Sequence, residues 1–329
     1  MKDKIILRSI IVIALALIAV IAVTNTFTGA ETPVAENENT AAARYIEPYF
    51  LRPGDNKQSP DILFYPEVPR PGDFLIVEAG PFAAGSSPQL KLGFDGTAFT
   101  SYEAGGLLYT LVAISCDSEP GLYNVHYEPG GPAADLVIAE REFPLSRFSM
   151  PADRTTGWTT ERLAEDREKV RLARDSSAPF PLWTDRFILP VEGRITSEFG
   201  ALRIINNNPP RRHSGIDIGA PEGTPVLAAN SGNVQLAEYL LSGGNTVIID
   251  HGIGLTSTYM HLESIAVEQG AIVDGGTMIG TLGMTGYATG PHLHWEVNIG
   301  QEAVNPEQLL ANDLLWVPPA YVASFIDTE

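Results

Sequence analysis

A single cysteine, Cys116, stands in the 329 residues, so neither an intrachain disulfide nor a thiolate metal site is open to this chain. It closes the apolar run Leu111-Val112-Ala113-Ile114-Ser115 and reads as a small buried residue rather than a nucleophile. Basic residues are scarce too. Lys and Arg number 21 against 40 Asp and Glu, a net charge of -19. That balance argues against nucleic acid or an anionic membrane surface as the main partner. Helical windows are scarcest of all. Only 159–174 carries a convincing pattern, with threonines able to cap its start and Arg162/Asp166 and Glu165/Lys169 as opposite charges four apart. Leu163 and Val170 give it a thin apolar stripe, which predicts a solvated connector helix over a domain surface rather than a plug across a site.

What is there instead is β texture. Glycine and proline make up about one residue in six without any period, as in a turn-rich, mainly β protein. Between 61 and 145, runs such as Phe74-Leu75-Ile76-Val77 and Tyr123-Asn124-Val125-His126-Tyr127 alternate with turn signals such as Pro71-Gly72 and Pro129-Gly130. This spacing predicts a small antiparallel β-sandwich-like domain. Its lone His126 reads as structural or exposed. A linker over 146–185 contains the helix. From 186 to 308 the strands return, with Gly243-Gly244 and Asp274-Gly275-Gly276 as turns. No helical window separates these strands, so parallel βαβ units are excluded there.

The first 30 residues read as a targeting segment. Lys2, Lys4 and Arg8 precede an apolar run from Ile10 to Val23, too short for a comfortable span and suited to a secretory signal. Thr28-Gly29-Ala30 is a usable cleavage site, and an uncleaved membrane anchor is the alternative. Either way the rest of the chain is expected outside the cytoplasmic membrane, periplasmic or extracellular. Residues 31–60 read as a polar, proline-punctuated linker, and 309–329 as a tail without an assignable role.

Five of the six histidines fall between 213 and 294. His292-Leu293-His294 places two imidazoles on one face of a strand running to Ile299. His213-Ser214-Gly215-Ile216-Asp217 adds an imidazole and a carboxylate four residues apart. On an extended segment these would stand about 13 Å apart, so sharing one metal requires a bend, which Gly215 makes cheap. Two imidazoles and one carboxylate form a three-ligand zinc set with the fourth position open, which is catalytic in kind. Alternation does not say whether His292 or His294 would be the ligand. His261 is the candidate proton acceptor, two residues after Tyr259 and so expected on the same strand face as Tyr259. His251, on a turn, reads as structural.

Taken together these residues resemble the lysostaphin/LytM-type zinc metallopeptidases. Ser197-Glu198-Phe199-Gly200, His213-Ser214-Gly215-Ile216-Asp217, Gly223-Thr224-Pro225-Val226, Tyr259-Met260-His261-Leu262 and Thr289-Gly290-Pro291-His292-Leu293-His294-Trp295-Glu296 occur in that family's order. The resemblance covers roughly 186–308. It implies the all-β duplicated hybrid motif fold, and one zinc ion held by His213, Asp217 and His294. It also implies a catalytic pair, His261 and His292, and peptidoglycan peptides as partner and substrate. Glu296 would then orient a ligand imidazole, and Tyr259 would line the substrate groove. One stretch departs from the family: Ala201-Leu202-Arg203-Ile204-Ile205-Asn206-Asn207-Asn208 stands where two adjacent arginines and then Asn-Gly often follow Phe-Gly.

The expected function is therefore zinc-dependent endopeptidase cleavage of peptidoglycan stem peptides or cross-links, for cell-wall remodelling. A non-catalytic peptidoglycan-binding protein or hydrolase activator is the alternative. The membrane would be a partner only through an uncleaved N-terminal segment, and oligomeric state is not assigned.

Overall fold

The computed structural model describes residues 61–311, except 84–86, 99–100, 105, 150–154, 156, 184 and 207. The expected signal or anchor, the 31–60 linker and the tail beyond 311 lie outside the described residues. The N-terminal strands are β1 (Asp61–Tyr65), β2 (Phe74–Gly80), β3 (Gln89–Leu92) and β4 (Gly96–Ala98). They continue with β5 (Tyr102–Ala104), β6 (Leu107–Ile114), β7 (Gly121–Glu128) and β8 (Ala133–Ile138). One sheet has the order β1-β2-β6-β4 with β5 also on β6, and the other runs β3-β7-β8. Leu75, Val77, Val112 and Ile114 of the first sheet close on Val125, Tyr127, Leu136 and Ile138 of the second. This is the expected sandwich.

The run 111–114 is apolar without alternation because its sheet is covered on both sides. Phe74, Leu111 and Ala113 point away from the sandwich core and join the buried cluster of the C-terminal part, with Phe199, Val304 and Leu309. The 146–185 stretch is less of a linker than its composition predicts. Its start lies in β9 (Leu145–Phe148), which pairs in parallel with β11 (Leu202–Ile205). Helix α1 follows at Thr160–Asp175, capped by the Thr159 side chain accepting from the Arg162 amide. The anticipated charged face of α1 is spent on the neighbouring sheet. Lys169 Nζ reaches Glu238 Oε2 at 2.7 Å, and Asp166 Oδ2 accepts from the Leu241 amide at 2.6 Å. Val170 and Ala173 seat the helix on Leu236, Leu240 and Ile248. The helix thus lies over the domain surface as expected, its outer face solvated and one edge docked.

The C-terminal part begins at β10 (Arg194–Ser197), followed after β11 by β12 (Arg211–Arg212), β13 (Gly215–Gly219) and β14 (Pro225–Leu227). Then come β15 (Gly232–Leu240), β16 (Gly244–Asp250), β17 (Leu255–Ile265), β18 (Ile272–Val273) and β19 (Met278–Leu282). β20 (Leu293–Ile299), β21 (Glu302–Val304) and a short helix α2 (Glu307–Ala311) complete it. Its main sheet has the order β10-β13-β20-β17-β16-β15-β18, with β19 on β17 and β14, and β21 on β20. These pairs are antiparallel. The first residues of the expected tail lie in α2 and dock onto the sandwich. Leu309 is buried, and the Gln308 side chain accepts from the Phe74 amide and donates to its carbonyl, at 2.9 and 2.7 Å.

The two faces of the β13-β20-β17 centre differ in kind. Trp295 pairs with Ile216 and Tyr259, and all three enter the apolar core. On the other face His294 pairs with Asp217 and Met260, and Glu296 pairs with Gly215 and Thr258. Alternation along β20 therefore sorts the strand into a core side and a chemical side.

Candidate metal centre

Asp217 and His294 sit directly opposite one another on adjacent strands, so register alone brings them together. His213 arrives differently. The chain leaves β12, in another sheet, and enters β13 through His213-Ser214, which supplies the bend the sequence demands. Gly215 itself does not adopt a left-handed backbone. It is needed because a Cβ there would stand 2.2 Å from the Trp295 carbonyl oxygen. Its role is thus close approach of β13 to β20, not the bend.

The three side chains meet closely. His213 Nε2 lies 2.9 Å from Asp217 Oδ1 and 2.9 Å from His294 Nδ1, and His294 Nδ1 lies 2.8 Å from Asp217 Oδ1. The outward ring atoms are already committed. His213 Nδ1 donates to the Glu198 carbonyl at 2.8 Å, and His294 Nε2 donates to Glu296 Oε1 at 3.1 Å. The inward nitrogens are then lone pairs, and they face a carboxylate oxygen. Three buried acceptors this close fit a shared cation, and these residues could hold a metal ion. A proton competes with a metal for that place. Burial pushes the His294 pKa down, but the Asp217 and Glu296 carboxylates beside it push it up further, to about 9. Metal binding would displace that proton.

Each carboxylate has its own arginine. Asp217 Oδ2 accepts from Arg203 Nη2 at 2.5 Å, and the same nitrogen donates to Ser197 Oγ at 2.6 Å. Glu296 Oε2 accepts from Arg174 Nη2 at 2.5 Å, while Oε1 also accepts from Ser214 Oγ. Burial would raise the Asp217 carboxyl, yet the His213 and His294 imidazoles set against it hold it far below the ordinary carboxylate range. Glu296 is held low by Arg174 foremost, against its burial. Neither arginine is evident as a site residue in the sequence. Arg203 lies in the departing 201–208 stretch, and Arg174 closes a helix far from any motif. The register that brings both to the carboxylates is tertiary.

His261 and His292 complete the group. Their rings lie 4.7 Å apart, and the His261 ring lies 6.1 Å from that of His294. His261 Nδ1 donates to the Thr285 carbonyl and His292 Nδ1 to the Gly290 carbonyl, each at 2.8 Å. Both therefore present Nε2 as an acceptor, that of His292 standing 3.8 Å from Asp217 Oδ1. Burial, with the neighbouring imidazoles, pushes the His261 pKa down to about 3.

Two expectations need correction. Tyr259 does not line a groove. It is fully buried, its hydroxyl accepting from the Ala229 amide at 2.8 Å and bonded to Ser257 Oγ at 2.9 Å. Nor do Tyr259 and His261 share a face. Leu262 pairs with Asn245 and Tyr259 with Val247, so Met260 and His261 together oppose Thr246 in a bulge. His261 takes a left-handed backbone, φ 64°, which swings its ring to the side of His294. His251 is structural, buried with Nδ1 on the Ser231 carbonyl and Nε2 beside Ser257 Oγ. Half-buried His126 lies 3.5 Å from Glu128, away from the site. Cys116 is half-buried and free, its thiol pushed up to about 11 by burial.

Residues 211–306 match peptidase family M23. Over 134 residues the chain is 37% identical to the peptidoglycan DD-endopeptidase ShyA of Vibrio cholerae, spanning 38% of this chain and 31% of that one. It is 42% identical over 113 residues to the DD-carboxypeptidase/endopeptidase Mpg of Neisseria meningitidis, covering 34% of this chain and 26% of Mpg. An M23 peptidase structure from Pseudomonas aeruginosa superposes with a TM-score of 0.54 and 26% identity, covering 74% of this chain and 94% of that one. The chain spans only about a quarter to two fifths of the curated relatives it matches.

Proposed function

We propose that this chain, whose residues 211–306 match peptidase family M23, is a zinc-dependent endopeptidase that hydrolyses peptide bonds in peptidoglycan stem peptides or cross-links, remodelling the cell wall. One observation carries this reading. Three buried lone-pair donors, His213 Nε2, Asp217 Oδ1 and His294 Nδ1, converge beside two further imidazoles that both present Nε2. The printed names of the Vibrio and Neisseria relatives support the substrate class.

Two imidazoles and a carboxylate are the ligand set of catalytic rather than structural zinc. Zinc bound there would polarise the scissile carbonyl and lower the pKa of the attacking water. His261 and His292 handle protons. With Nδ1–H spent on main-chain carbonyls, each can accept a proton at Nε2. The resulting Nε2–H then faces the developing oxyanion or the departing amine. Burial pushes the His261 pKa down, which favours the uncharged form able to accept a proton. Arg203 holds the second oxygen of Asp217, leaving the first to the metal.

We also place the enzyme in the cell envelope, secreted or held by its N-terminal segment, on the basic start and apolar run of residues 2–23. No helix among the described residues is long and apolar enough to cross a membrane.

The test is digestion of purified sacculi by the full chain, with mass spectrometry of the released muropeptides. Release should stop on chelation and return with zinc, and the masses identify the bond cleaved. Zinc binding without release would remove the enzyme and leave the binding role.

A further inference from the structure

Helix α1 lies outside the matched 211–306 region, yet its last turn reaches the back of the metal centre. Arg174 is nearly buried, with 11% of its side chain exposed, and its Nη2 donates to Glu296 Oε2 at 2.5 Å. Glu296 Oε1 in turn accepts from His294 Nε2 at 3.1 Å, and His294 Nδ1 faces Asp217 and His213. The chain of contacts is therefore Arg174, Glu296, His294, metal position.

Charge explains why this contact matters. A carboxylate taken out of water needs a cation beside it. A ligand imidazole must be neutral toward the metal, so His294 cannot serve as that cation once metal is bound. Arg174 can, because a guanidinium stays charged and grips with fixed geometry. The layer beneath the helix end is polar as well. Asn298 and Thr256, next along the same sheet face, bury side-chain polar atoms without a protein partner, as does Arg174 Nε.

The helix is also pinned at the end that carries Arg174. Gln301 Nε2, between β20 and β21, donates to the Arg171 carbonyl at 3.0 Å and to Asp175 Oδ1 at 2.6 Å. Just beyond, Ser177 Oγ donates to Asp250 Oδ1 at 2.6 Å, and the Ala178 amide donates to Asp250 Oδ2 at 2.9 Å.

We propose that Arg174 is a positioning residue of the metal centre: it fixes Glu296 so that Glu296 holds His294 with Nδ1 toward the metal. This rests on the metal-site reading above. The interdomain helix is thereby a working part of the peptidase site rather than a spacer.

The experiment uses the full chain and its Arg174→Gln, Arg174→Lys, Glu296→Gln and Arg174→Gln/Glu296→Gln variants. Zinc affinity is measured by chelator competition, with cobalt substitution to read ligand geometry by absorption. Arg174→Gln should weaken zinc binding by ~10–100-fold, as loss of a ligand's supporting partner does, and alter the cobalt spectrum. Arg174→Lys should recover part of the affinity. With Glu296→Gln already present, Arg174→Gln should change affinity by less than about threefold, since its route to His294 is neutralised. Wild-type affinity and an unchanged cobalt spectrum in Arg174→Gln would overturn the inference, as would equal losses with and without Glu296. Should Arg174→Gln fail to fold, Arg174→Lys with and without Glu296→Gln gives the same comparison. A wild-type chain that binds no zinc would instead overturn the metal-site reading itself.

Discussion

Tyr259 and His261 stand two residues apart on β17 and face opposite sides of the sheet. Tyr259 packs opposite Trp295 in the core, whereas His261 lies beside His292, their rings 4.7 Å apart. The bulge opposite Thr246 and the left-handed backbone at His261 make the difference. A bulge of this kind re-aims one side chain without disturbing the rest of the strand.

His261→Ala tests the division between ligand and proton carrier. Zinc content should match wild type, and cleavage of muropeptides should fall by ~10²–10⁴-fold, the usual contribution of a positioned acid–base group. Loss of zinc along with activity would show that His261 belongs among the ligands.

Asp217→Ala should act on the metal itself. It removes a carboxylate from the centre of the cluster and strands Arg203, which now donates to it at 2.5 Å. Zinc affinity, read by chelator competition, should fall by more than the ~10–100-fold expected for a supporting residue. The metal-free chain should also lose stability, because one partner of a mostly buried ion pair is left alone. An Asp217→Ala chain with wild-type zinc affinity is incompatible with the ligand assignment.

Gly215→Ala probes the seam between β13 and β20. The added Cβ meets the Trp295 carbonyl oxygen at 2.2 Å, between the strands that carry Asp217 and His294. Overpacking of this kind costs ~1–3 kcal/mol, and each kcal/mol lowers the melting temperature by about 2–4 °C in a chain of comparable size. Gly290→Ala, where nothing lies within 4 Å of the added carbon, should leave the melting temperature nearly unchanged. Equal effects at the two positions would contradict the close-approach account.

His251 sets a pH dependence away from the metal. Burial pushes its pKa down to about 4 from an ordinary 6.5. A depressed folded-state value means the unfolded chain binds the proton first. The stabilisation is therefore present above about pH 6.5 and is lost as pH falls toward 4. The shift corresponds to about 3 kcal/mol. Denaturation across this window should be visibly flatter for His251→Gln than for wild type, although the variant is less stable at neutral pH because it breaks the bonds to Ser231 and Ser257. Parallel curves would exclude His251 as a source.

Much of the site was legible because β-strand geometry is local. The period of two puts His292 and His294 on one side and apolar Leu293 and Trp295 on the other. The same alternation recovered Glu296 as a neighbour of His294. It failed at His261, since a bulge shifts the period by one residue and nothing in Tyr259-Met260-His261 announces it. Helix α1 was visible from its cap and composition. Its place over a domain surface was visible too, but not its partners, because Asp166 and Lys169 look equally suited to bonds within the helix and to Leu241 and Glu238.

The sequence alone determined the candidate ligand types, the strand character and the exclusion of an intrachain disulfide and a thiolate zinc site, all of which follow from residue identity and short-range spacing. Tertiary structure decided how they combine. Cross-strand register set Asp217 against His294, the bulge turned His261 inward, and folding brought Arg203 and Arg174 to the two carboxylates. Those contacts join residues as many as 122 positions apart. At that separation only the packed sheet and helix, and no local rule, fix which charge meets which.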